Sequence, residues 1–490
     1  MKTKPTFQWK YTAAGIAALT LLLSGCAQAA QNTASNNAVT QVDANQNPNA
    51  ATDIDTGGTK VNVVSAAGDV EVVPIEVMTP DSSAPARANN FVKAADKLNA
   101  QLEKENAKQR VKVNAIVKPL ADEDFKQNFI FASKSGNASD IYATTFSNIG
   151  WMADGDYLLN LNGIEKDPVF QNQIPGYWDA VTWNKNIWGV IQDTEARPVY
   201  YWKPALKKLG WTDEQITSLP GKVEKGEFTI DDMGKIAKDA VDKKIVQNGF
   251  VPTTGQSDLA LLFYSHGVEM YDKDKAEYVF DKAHITDTLK WLKGLLDDKV
   301  LTASALGAPK DDNLKAMING ETMFMTAGVW DEAKWRTRGM EKTQGNVSTD
   351  YIMQNVGVML MPPTEKGGKP VTVSGPWTYV VSKQTKHSEL AKRLLTYVSA
   401  PELQKEHDVQ SSHLPFTKEG QELIKDDPWL SANSYLINYS KFIPNDPDQP
   451  KFGKIYTDAI KNISGGKSPE ETVSLMEEQM KLNLDKFTVK

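Results

Sequence analysis

The chain has 490 residues, more than one ordinary domain of ~100–200 residues holds, so at least two domains are expected. Hydrophobic residues at 40% and charged residues at 24% exclude wholesale disorder and a polytopic membrane protein, and a net charge of −7 argues against nucleic acid as a partner. One cysteine permits no internal disulfide and no cysteine-based zinc site, the five histidines show no close pair at ligand spacing, and no metal or cofactor is expected.

The N-terminus reads as a targeting signal. Lys2, Lys4 and Lys10 precede an apolar stretch, Ala13 to Leu23, that is too short to span ~30 Å of hydrocarbon as a mature helix. It ends in Leu23-Ser24-Gly25-Cys26, which resembles the bacterial lipobox, so residues 1–25 are expected to be removed and Cys26 acylated. Acyl chains at ~0.8 kcal/mol per buried CH₂ would anchor the protein to the outer face of a bacterial membrane without spanning it. Residues 26–60 are rich in Ala, Asn, Gln and Thr and cannot bury enough surface to offset ordering entropy. They read as a tether reaching roughly 30 Å.

From about Val61 the pattern alternates strands with helices. Strands are predicted at Val70 to Met78, Arg110 to Val117 and Asp140 to Thr144. Between them come a helix presenting Phe91, Ala94, Ala95, Leu98 and Leu102, and another around Asp122 to Ser133. This succession predicts an α/β layer with a mostly parallel sheet. Further helices carry Ile285, Leu289, Leu292 and Leu296, then Leu390, Leu394, Leu395 and Val398, stopped by Pro401. Asp426 to Pro450 reads as an irregular connection, and the last helix opens on the capping box Ser468-Pro469-Glu470-Glu471. Asp272-Lys273-Asp274 lacks the glycine and closing glutamate of a calcium loop and reads as a hairpin turn, while Asp297-Asp298 and Asp311-Asp312 are expected in exposed turns.

Four landmarks together resemble the extracellular solute-binding proteins of carbohydrate ABC importers, the group that includes maltose-binding protein. The first is Ile187-Trp188-Gly189-Val190, Val199-Tyr200-Tyr201 and Leu206 to Gly210, departing from the pattern at Ile191 and Trp202. The second is Ala316-Met317-Ile318-Asn319-Gly320-Glu321 with Gly328-Val329-Trp330. The third runs from Met361-Pro362-Pro363 through Gly375 to Val381-Ser382-Lys383 and Glu389-Leu390-Ala391, and the fourth is Ile443-Pro444-Asn445 ahead of the last helix. The resemblance implies two discontinuous α/β lobes of the periplasmic-binding-protein type, 61–194 plus 374–422 and 195–373 plus 423–490, hinged around a ligand cleft. It implies a lipid-anchored monomer that carries a saccharide to ABC permease subunits, and no catalysis.

A saccharide offers apolar C–H faces and a ring of hydroxyls, so its site needs flat aromatic surfaces and short polar groups. The chain holds 12 Trp, 15 Tyr and 16 Phe, more Trp than a core of this size needs. Trp330 and Trp377 are the leading candidates, one on the family's G-x-W position and the other after Gly375-Pro376 at an implied lobe crossing. Trp151 belongs to a cluster of five tryptophans, and Phe452, with Tyr456, follows the fourth landmark. The polar candidates are Asp193, Glu195 and Arg197, which alternate onto one face of an extended strand about 6–7 Å apart. Thr144 and Thr145 follow the Asp140 strand, where open α/β sheets place their ligands, and Asp258, beside Ser257, lies in a loop after Gly255. The competing reading is an exported glycoside hydrolase using Asp193 and Glu195, near the lower edge of the ~6.5–9.5 Å expected of inverting enzymes. Two acids on one side of a strand cannot flank a glycosidic bond, which counts against it.

Overall fold

The computed structural model describes residues 70–81 and 85–490. The expected signal segment, Cys26 and the tether lie outside them. Among the described residues no helix is long and apolar enough to cross a membrane.

The first sheet has five strands. Glu71–Thr79 pairs in parallel with Gln109–Val117 on one side and Ile141–Thr145 on the other. Its alternation puts Val73, Ile75 and Val77 inside, where the helix Ala86–Lys104 covers them with Phe91, Ala94, Ala95, Leu98 and Leu102. Trp377–Val381 then enters between Ile141–Thr145 and Gly189–Asp193 and runs antiparallel to both. The second sheet orders Val356–Met359, Val199–Trp202, Thr322–Thr326 and Asn248–Val251, with parallel pairing confined to the last two. Both sheets are therefore mixed, not mostly parallel as expected. Local strand–helix–strand succession reports neighbours in sequence, and the antiparallel strand at 377 arrives from 184 residues beyond its partner Asp193.

Gly357 marks a close approach in the second sheet. It pairs with Tyr201, and a Cβ there would stand 1.9 Å from the tyrosine ring. The ring is buried and its hydroxyl donates to the Ile216 carbonyl, so it has nowhere to swing. Gly357→Ala is expected to lower stability by about 1–3 kcal/mol through overpacking. Urea unfolding checks this, and an unchanged midpoint would mean that the strand yields instead.

The chain passes from the first sheet to the second at 194–198 and returns at 372–376. The two passages are tied together, since Thr372 Oγ1 accepts from the Arg197 amide at 2.8 Å and donates to the Arg197 carbonyl at 3.0 Å. Thr194 pairs with Leu414 through both backbone groups. Beside them, Thr194 Oγ1 lies 2.6 Å from the Tyr177 hydroxyl and 2.8 Å from Ser374 Oγ, and Ser440 Oγ stands 3.3 Å from the same tyrosine. Four hydroxyls from four segments thus meet where the sheets join.

The helices at Lys282–Asp297, Ser388–Val398 and Pro469–Asn483 form as the periodicity predicts, the last capped by Ser468, which accepts from the Glu471 amide. Asp272 closes a hairpin between Tyr271–Asp272 and Glu277–Phe280. Two expectations need correction. The stretch 426–450 is more ordered than its composition suggests: Asp427 caps a helix Pro428–Asn433, a 3₁₀ turn follows, and Trp429, Leu430, Leu436 and Ile437 are buried anchors. Asp311 and Asp312 occupy the first turn of the helix Lys310–Ile318, where the helix dipole favours acids, not an exposed turn.

Candidate functional site

A cleft of about 730 Å³ opens where the two sheets meet. Its volume falls in the range of small-ligand sites, roughly 300–1,000 Å³. The end of the Ile141–Thr145 strand brings Thr145 and Ser147, and the crossing at 194–198 brings Glu195 and Arg197. The start of the helix Gln256–Ser265 brings Asp258, the 3₁₀ turn Val329–Asp331 brings Trp330, and the return crossing brings Gly375 and Trp377. Asp258 is thus a first-turn helical residue, not a loop residue as expected; the N–H groups left unpaired at a helix start favour a carboxylate there.

Of the residues singled out from sequence, the cleft unites Thr145, Glu195, Arg197, Asp258, Trp330 and Trp377. Four lie elsewhere. Thr144 is buried, accepting from Asn148 Nδ2 at 2.9 Å. The Trp151 indole packs edge-on against Phe129 and donates to Asn148 Oδ1 at 2.8 Å, so it serves the core of the first lobe-forming sheet. Phe452 stacks on Tyr278 with centroids 4.4 Å apart and touches Tyr456, because its helix turns that face toward the Tyr278 hairpin. Asp193 lies behind the cleft wall, 1% exposed.

Two buried charge clusters frame the site. In the first, Asp193 Oδ2 accepts from Arg87 Nη2 at 2.6 Å and stands 2.7 Å from His407 Nε2, while Arg87 also pairs with Asp81 and donates to Gln192 Oε1 at 2.9 Å. Burial opposes ionisation of Asp193, but Arg87 and the two histidines outweigh it and hold its carboxyl well below the usual range. In the second, Arg197 donates to Glu195 Oε1 and to Asp258 Oδ1, each at 2.6 Å. Gly375 makes room for this pair, since a Cβ there would stand 2.7 Å from Glu195 Oε1. Burial, reinforced by Asp193 and Asp258, raises Glu195 to about 7 against the pull of Arg197.

The two indoles are backed by cations. The Arg87 guanidinium lies 4.1 Å from the Trp377 ring centroid, and Arg197 and Lys310 each lie 5.0 Å from that of Trp330. His413 stacks on Trp330, 5.7 Å between centroids and 12° between planes.

Arg87 and His413 were missed from sequence. Arg87 carried a signal: it sits one helical turn before Phe91 on a mainly apolar stripe, and a buried charge demands a partner. His413 carried none, because its neighbours Glu195 and Trp330 are remote in the chain.

The model for bacterial extracellular solute-binding proteins matches residues 93–434. Among solved structures, the maltose-bound MalE3 of T. maritima aligns with a TM-score of 0.63 at 17% identity, over 84% of this chain and 100% of its own. The cyclic α-maltosyl-1,6-maltose-binding protein of Arthrobacter globiformis gives 0.66 at 16% identity, over 84% and 99%. The sugar-binding protein MalE of Xanthomonas citri gives 0.65 at 15% identity, over 83% and 96%. At such identities the likeness is one of fold, a two-lobed α/β architecture.

Proposed function

The chain belongs to the bacterial extracellular solute-binding proteins, and on that premise we propose that it captures a saccharide in the cleft and delivers it to the permease of an ABC importer. The observation that carries this is the convergence of Trp330 and Trp377 with Glu195, Arg197 and Asp258 on one cavity at the junction of the two sheets. Indole faces suit the C–H faces of a sugar, and ionised side chains bind its hydroxyls. The structural relatives whose names specify maltose or a maltose derivative support an oligosaccharide.

In this reading lobe one comprises 61–194 and 374–422, and lobe two 195–373 and 423–490. Every strand of the first sheet falls in the former and every strand of the second in the latter, which supports the division. Closure of the lobes over ligand gives the permease a shape to recognise. The Cys26 lipobox supports lipid anchoring of a monomer on the outer face of the membrane.

Titration calorimetry of the chain from Cys26 onward against mono- and oligosaccharides should find a micromolar or tighter partner, recovered intact by chromatography. A panel without a binder would refute the reading. Turnover abolished by Glu195→Gln would favour the hydrolase instead, a reading disfavoured by Asp193 being walled off behind Arg87 and His407.

A further inference from the structure

His413 reaches the cleft beside Glu195 with an unusual set of neighbours. Its Nδ1 lies 3.1 Å from the Ser411 carbonyl, which can only accept, so Nδ1 carries the hydrogen and Nε2 a lone pair. That lone pair is 4.0 Å from Glu195 Oε2 and 4.0 Å from Asp193 Oδ2. Arg197 takes Glu195 through the other oxygen, Oε1. Among the described residues neither Glu195 Oε2 nor His413 Nε2 receives a hydrogen bond. Both residues line the cavity. Two acceptors on cleft-lining residues therefore stand 4.0 Å apart, and among the described residues no donor lies between them.

We propose that Glu195 Oε2 and His413 Nε2 form a two-point acceptor for adjacent hydroxyls of the bound saccharide, with Glu195 engaging as a carboxylate. The proposal rests on the saccharide reading above and deepens it, because it specifies a vicinal diol as the recognised feature. Adjacent hydroxyls of a pyranose ring are somewhat closer together than the two acceptors, so two O–H bonds fanning outward meet both. Trp330 holds the imidazole plane by stacking.

Proton affinities fit this arrangement. Burial, with Arg87 and His407, brings His413 down to about 4 despite Asp193, so it stays a neutral acceptor near neutrality. Glu195 faces Arg197, Asp193, Asp258 and His413 and titrates near 7, so a diol that requires its ionised form displaces a proton. Affinity must then rise with pH through that value. For one linked proton and a pKa of about 7, binding at pH 5.5 should be about 30-fold weaker than at pH 8.5.

The test is calorimetry of the chain from Cys26 onward with maltose, maltotetraose and the other saccharides of the panel at pH 5.5, 7.0 and 8.5. Wild type should show the 30-fold change, and Glu195→Gln should bind weakly with no pH slope. His413→Phe keeps a ring over Trp330 but removes the acceptor, and should weaken binding at least tenfold with a melting temperature near wild type. Monodeoxy analogues of the bound sugar that weaken binding to wild type should weaken it no further in the variant lacking their acceptor. Full affinity in Glu195→Gln or in His413→Phe overturns the acceptor pair while leaving a saccharide-binding protein. No binding by wild type to any sugar overturns both.

Discussion

Arg87→Met is expected to lower the unfolding free energy by about 3–5 kcal/mol, the usual consequence of removing one partner of a buried ion pair. Arg87 is 1% exposed and satisfies Asp193, Asp81 and Gln192 together. Methionine would fill much of the space under Trp377 yet leave the Asp193 carboxylate buried with His407 as its nearest donor. Equilibrium urea unfolding measures the loss. Adding Asp193→Asn should restore a large part of it by removing the uncompensated charge. A single variant within 1 kcal/mol of wild type would show that His407 suffices as counter-ion.

Trp330→Ala and Trp377→Ala should each weaken saccharide binding by about 2 kcal/mol or more, roughly 30-fold, as central aromatic contacts do in other interfaces. Trp330→Ala should have the larger effect. It removes a stacking face for the sugar and for His413, and the ring beside which Arg197 and Lys310 lie. Phenylalanine at either position should recover part of the affinity. Calorimetry with the best ligand of the panel decides, and unaltered affinity in both alanine variants would remove the indoles from the site.

Local periodicity made the first sheet and its covering helix legible, because Val73, Ile75 and Val77 alternate while Phe91, Leu98 and Leu102 recur at helical spacing. Strand direction was not legible. Trp377–Val381 has the same apolar pattern whichever way it runs, and its insertion between Ile141–Thr145 and Gly189–Asp193 depends on a return crossing far along the chain.

The site shows the same division. Glu195, Arg197, Trp330 and Trp377 stand out by chemistry in short segments, and the cleft gathers them. Phe452 and Trp151 have that chemistry too, but partners such as Tyr278 and Phe129 hold them in the core. A ring's composition says that it can stack, and only the surrounding fold says on what. Composition also misled at 426–450, where Trp429 and Leu430 tether a stretch that is otherwise rich in turn formers.

The four hydroxyls of Tyr177, Thr194, Ser374 and Ser440 carry a mechanical implication. A backbone amide has one fixed direction in which to donate, so a joint made of amides breaks bonds when it twists. A hydroxyl can rotate about its C–O bond and exchange donating for accepting. A cluster of them can exchange hydrogen-bond partners among its members while the Thr194 backbone stays paired with Leu414. Replacing Thr194 by its isostere valine, which removes the hydroxyl shared by Tyr177 and Ser374 at nearly constant shape, is therefore expected to impair that exchange.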